Sequence, residues 1–168
     1  MKVNAYTASV PVFVRMLTNL SALLDKAAAF AESRKIDPSV LLSARLFPDM
    51  FPLARQVQLA SDFAKGATSR LAGQEPPAWE DNEASFADLQ ARLRRTVDFV
   101  QGFKPEQFEG ADEREVTLKV RGETVKLEGA PYLLQRAMPN FYFHVTTAYA
   151  ILRHNGVEIG KRDFIGPA

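Results

Sequence analysis

The chain's two histidines, His144 and His154, both lie in the run PNFYFHVTTAYAILRHN at residues 139–155. A neutral imidazole can ligate a metal, and one that titrates near neutral pH can act as a general base. On a helix, Asn140, His144 and Thr147 fall at i, i+4 and i+7, one polar stripe along an aromatic and aliphatic rod. His154 follows His144 by about 15 Å of helical rise, too far for both to reach one metal ion. His154 is instead expected at the helix end beside Arg153, where positive charge suits the dipole. His144 reads two ways. It is either a hydrogen-bonded core residue or, with Asn140 one turn earlier, part of a pocket in which both polar groups are satisfied. Thr146, Thr147 and Tyr149 suit helix packing, and the sequence has no nucleophile elbow, phosphate-binding glycine loop or HExxH motif.

Composition narrows the classes of function. Lys and Arg total 21 against 20 acidic residues, so no global field favours nucleic acid or an anionic membrane, and neither is expected as a partner. The densest basic cluster, Arg92, Arg94 and Arg95, sits between Asp88 and Asp98 and reads as a solvated helix face. The chain has no cysteine, which excludes disulfides, thiolate nucleophiles and sulfur-bound metals. The N-terminal MKVNAYTASVPVFVRML is interrupted by Asn4, Thr7, Ser9 and Arg15, unlike a signal-peptide core. No apolar run approaches the roughly 20 residues that cross a bilayer, so a cytoplasmic location is expected.

The elements that must position His144 follow from periodicity. Val10, Phe13, Val14, Leu17, Leu20, Leu24, Ala27, Ala28 and Ala31 mark a long amphipathic helix, with Pro11 tolerable only near its start and Asp37-Pro38 breaking the chain after it. A second helix should begin near Asp49 as cap, with Pro52 in its first turn, and carry the stripe Leu53, Val57, Ala60, Ala64 and Ala67, which Gln56 flanks. Ser85 and Asp88 resemble a capping box for a third helix through Phe86, Leu89, Leu93, Val97 and Val100. EVTLKVRGETVKLE at 115–128 switches to period two and predicts a hairpin around Gly122. Pro139 then opens the last helix and Gly156 ends it. The fold class is all-α: a four-helix bundle with crossover connections and a small β-hairpin before the last helix. Phe141, Tyr142 and Phe143 fan across roughly 200° of that helix, more than one core can take, so a homodimer is expected.

Two blocks, LFPDMFPLARQVQLASDF at 46–63 and PNFYFHVTTAYAILRHNGVEIGKRDFIG at 139–166, carry a resemblance to the DinB-like superfamily of metalloenzyme-type four-helix bundles. Within it the chain resembles a branch known only as a domain of unknown function, number nineteen-ninety-three. The resemblance implies a single DinB-like bundle domain over residues 1–168. Better-understood members hold a divalent metal, nickel, zinc or manganese, between three histidines, one on the second helix and two spaced four apart on the last. By position His144 matches the second of that pair and Asn140 the first, while Gln56, or Gln58 two residues on, matches the second-helix histidine. The resemblance thus implies one imidazole and two amides. Amide oxygens bind first-row transition metals weakly, so no cofactor is expected. The expected function is a metal-free small-molecule-binding or vestigial pocket lined by Gln56, Asn140 and His144, with a small polar ligand held by hydrogen bonds. The alternative is a divalent-metal-dependent enzyme of hydrolase or thiol-transferase type using His144.

Overall fold

In the computed structural model, which describes residues 3–167, the long apolar run becomes helix α1, Ala5–Arg34. It starts earlier than the apolar rhythm suggests because Asn4 and Thr7 form a reciprocal cap. The Asn4 side chain accepts from the Thr7 amide at 2.9 Å, and Thr7 Oγ1 accepts from the Asn4 amide at 3.0 Å. Pro11 therefore lies inside the helix, well past the first turn. A left-handed Lys35 closes α1. By length and composition α1 is apolar enough to cross a membrane, which corrects the expectation that no such run exists. Here its buried face, from Phe13 through Leu17, Leu20 and Leu24 to Ala31, is the core wall of the bundle.

Asp37-Pro38 does more than break the chain. Asp37 caps a short helix, α2, Pro38–Ser43, whose Leu41 and Leu42 are buried. Helix α3, Leu53–Leu71, follows, and Pro52 rather than Asp49 occupies its cap position, without a side-chain cap bond. Its expected stripe of Leu53, Val57, Ala60, Ala64 and Ala67 is fully buried. Helix α4, Phe86–Gln101, begins at Ser85, whose hydroxyl accepts from the Asp88 amide at 3.1 Å. A single turn at Pro105–Phe108 leads to strands β1, Glu115–Val120, and β2, Glu123–Glu128. They pair antiparallel with Val116 opposite Leu127 and Leu118 opposite Val125, so one face is apolar.

The Gly129-Ala130-Pro131 run opens a short helical piece, α5, Gly129–Tyr132, which passes through a π-turn at Leu133–Ala137 into α6, Met138–His154. Pro139 lies in the first turn of α6, as its residue type predicts, one position after the helix start. Proline brings no N–H to the ladder, and the wider turn just before it accommodates the gap. The end is as expected: Gly156 follows at φ 91°. A final turn, α7, Lys161–Ile165, returns to α1, and Asp163 pairs with Lys26 at 2.6 Å. In the bundle α3 packs mainly on α6 and α1 on α4, while α3 and α4 are also neighbours. Crossing over from α1 to α3, and from α4 back to α6, therefore brings Gln56 and His144 onto facing helices.

Candidate functional site

Gln56 and His144 meet in the α3–α6 interface. Gln56 is 1% exposed and His144 8%, and Gln56 Oε1 lies 2.8 Å from His144 Nδ1. The rest of the Gln56 amide fixes the direction of that bond. Its Nε2 donates to the Phe51 carbonyl at 3.0 Å, in the loop just before α3. Oε1 must then face His144, so Nδ1 carries the proton and donates. In the neutral ring the lone pair is left on Nε2, which has no protein partner among the described residues. Phe63 stacks on the imidazole at 5.5 Å between ring centroids, and Phe143 meets it edge-on at 5.3 Å. Burial pushes the His144 pKa down to about 4, and the nearby charge of Arg55 adds to the shift.

Asn140 does not join this pair. Its Nδ2 donates to the Arg136 carbonyl at 2.7 Å, where the π-turn meets α6. Gln58 turns elsewhere too: its Nε2 donates to Glu83 at 2.8 Å and its Oε1 accepts from Arg55 at 3.2 Å. The ambiguity between the two glutamines thus resolves by contact, with Gln56 the one that meets His144. Thr147 is spent on the Phe143 carbonyl at 2.7 Å, and His154 is exposed at the helix end.

The donor set does not fit a transition metal. Gln56 Oε1 is engaged by the imidazole, and Asn140 leaves only its amide oxygen, a weak ligand for such an ion. Among the described residues no three His, Asp or Glu side chains gather to replace them.

Two features next to the site were not read from sequence. Phe63 gives no polar signal, and its stacking on His144 depends on how α3 and α6 register. Arg92 is not part of a solvated face; Arg94 and Arg95 are. It is 4% exposed, with Nη2 at 3.0 Å from Asp62 and Nη1 at 2.9 Å from Asp81 and 3.0 Å from Glu83. Burial alone would lower its pKa, but the hydrogen bond to Glu83 and the charges of Asp62, Glu83 and Asp81 hold it above the usual value. Those acids come from α3 and from the α3–α4 connection, so Arg92 ties that connection to the bundle. Asp81 also pairs with Arg55, which links the clasp to the first turn of α3.

The comparisons agree with this architecture. A family model described as "Domain of unknown function (DUF1993)" matches residues 5–165. The crystal structure of a DinB family member protein from Shewanella denitrificans is 44% identical, with a TM-score of 0.92, covering 97% of this chain and 92% of that one. No curated protein matches the chain. A full-length family match, together with a DinB-type bundle in a relative this similar, shows that the chain belongs to the DUF1993 family.

Proposed function

We propose that the protein is a metal-free binding bundle in which His144 offers one hydrogen-bond acceptor, Nε2, to a small polar ligand. The carrying observation is the 2.8 Å contact between His144 Nδ1 and Gln56 Oε1. It fixes the tautomer, and the depressed pKa keeps the ring neutral at physiological pH. A ligand N–H or O–H is the partner such an acceptor lacks. Asn140, one turn away, keeps its Oδ1 for a second ligand donor.

The test is a thermal-shift screen of neutral metabolites with the untagged protein. The reading expects at least one compound to raise the melting temperature of the wild type and to lose its effect in His144→Phe, whose ring keeps the stacking on Phe63. A purely structural pair is the second reading, favoured by the mutual satisfaction of Gln56 and His144. It expects no such compound, together with a loss of stability on removing either side chain.

The binding unit in this proposal is a homodimer. Phe47 is 64% exposed, Phe51 55%, Phe143 56% and Tyr142 39%, an aromatic surface beside the site on the α2–α3 connection and α6. Leu46, Met50, Tyr142 and Phe143 border a cavity of about 470 Å³ there. A second copy on this face would also form the outer wall around His144, since Phe143 touches both. A cytoplasmic location accords with the cysteine-free chain.

A further inference from the structure

Where α1, α6 and α7 meet, a groove of about 480 Å³ is apolar except for a single charge. Its volume suits a small molecule. Helix α1 contributes Pro11, Val12 and Met16, with Met16 buried beneath the other two. Phe164 and Ile165 of α7 and Tyr142 of α6 complete the apolar lining. Ile165 is 45% exposed and Tyr142 39%, so the groove opens to solvent. Neither Gln56 nor His144 borders it.

The sides of the groove are fixed by their own contacts. Asn19 Nδ2 donates to the Phe164 carbonyl at 3.0 Å, which holds α7 on α1. Gly166, at φ 77°, lets the chain come so close that an added Cβ would lie 2.3 Å from Asn19 Oδ1. The Phe164 ring meets Tyr149 edge-on at 5.7 Å, and Tyr142 meets Phe141 at the same distance. The charge belongs to Arg15, which lines the groove with these residues. Its Nε donates to the Ile165 carbonyl at 3.3 Å and its Nη2 to the Pro167 carbonyl at 2.7 Å. Those bonds anchor the guanidinium beside α7 and leave Nη1 with no acceptor among the described residues. No acid lines the groove, and Asp163, next in sequence to Phe164, is turned to Lys26 and the Gly160 amide.

We propose that this groove binds a medium-chain fatty acid, its carboxylate on Arg15 and its chain along Pro11, Val12, Met16 and Ile165. An apolar channel with one cation and no anion complements an apolar chain with one negative end. A guanidinium suits a carboxylate, and each methylene taken out of water adds to affinity. Pro11 fits the same account: a proline inside a helix is destabilising, and here its ring is part of the apolar lining. The groove is separate from His144 and does not rest on the function proposed there.

The experiment is titration calorimetry of the full chain with octanoate, nonanoate and decanoate below their micelle concentrations, and with octanol as the uncharged control. One saturable site is expected, tightening by about fourfold per methylene. Arg15→Gln should weaken octanoate by about tenfold or more and leave octanol unchanged. Val12→Trp, which fills the groove, should abolish both. Pro11→Ala should weaken decanoate by about fourfold while raising the melting temperature, a split that a purely structural proline does not give. His144→Phe should bind decanoate as the wild type does, so this result and the one for the His144 site are read apart. No saturable binding of decanoate, an affinity independent of chain length, or an affinity undiminished in Arg15→Gln overturns the proposal. A wild type that takes no fatty acid, with a dimer that Val12→Trp reduces to a monomer in light scattering, also overturns it and assigns the groove to a second copy.

Discussion

His144 is a titratable group whose folded form resists a proton, and that has a measurable consequence. Its pKa falls from 6.5 to about 4 on folding, first through burial and then through Arg55. Between those values the unfolded chain binds more protons than the folded one, so stability falls as pH drops through the window. At about pH 5 the loss attributable to this one group is about 2 kcal/mol relative to about pH 7.5. Urea unfolding of wild type and His144→Phe at both pH values checks this: the wild type should lose more on acidification, by roughly that difference. Arg92 makes the opposite demand. Arg92→Met leaves Asp62, Asp81 and Glu83 facing one another without their cation. Asp62 and Asp81 are about a third exposed and can turn to water, so the expected cost is about 3 kcal/mol, near the low end for a broken buried pair, read from the urea midpoint.

At the scale of elements, two positions carry strain or close contact that a substitution should expose. Pro11 sits in the interior of α1 with its ring exposed, and it withholds an N–H from the Thr7 carbonyl. Pro11→Ala restores that bond and should stabilise the protein by about 1–2 kcal/mol, visible as a higher melting temperature. Gly129 opens α5 directly against the hairpin's approach. A Cβ there would lie 1.8 Å from the Ala111 carbonyl oxygen, a backbone atom that cannot swing away. Gly129→Ala should therefore cost more than about 2 kcal/mol by the same measurement. Asn140 stays off the Gln56–His144 pair because its amide N–H goes to the carbonyl one turn earlier, that of Arg136, as the Asn155 amide goes to Ile151.

At the scale of the whole molecule, Phe47, Phe51, Tyr142 and Phe143 are exposed aromatics on the α2–α3 connection and α6, and Tyr142 and Phe143 share a groove with Leu46 and Met50. Light scattering at micromolar concentration should give the mass of a dimer, and Phe143→Glu should give a monomer with helical content unchanged. A wild-type monomer would remove the second copy from the proposed site. Because Phe143 also meets the His144 ring, the mutant would show in the same experiment whether ligand response depends on assembly.

Periodicity alone determined the helices of the bundle and the hairpin. Leu53, Val57, Ala60 and Ala64 can share a buried face only at 3.6 residues per turn, and Val116 and Leu118 only at two. Helix spacing also pointed to His144, and the resemblance to the DinB-like bundles pointed to a glutamine on the second long helix. Three things waited for the fold. Gln56 and Gln58 stand about 200° apart on α3, so only the contact with α6 decides which of them faces the imidazole. An Asn140 side chain can reach across the interface or back to the Arg136 carbonyl, and residue type does not say which, so its absence from the Gln56–His144 contact was invisible. Arg92 read as surface because its nearest acids in sequence are Asp88 and Asp98, while its actual partners, Asp62, Asp81 and Glu83, come from another helix and a folded-back connection. Local spacing fixes which residues share an element. Charge partners and ligand geometry arise between elements, where only tertiary packing decides who meets whom.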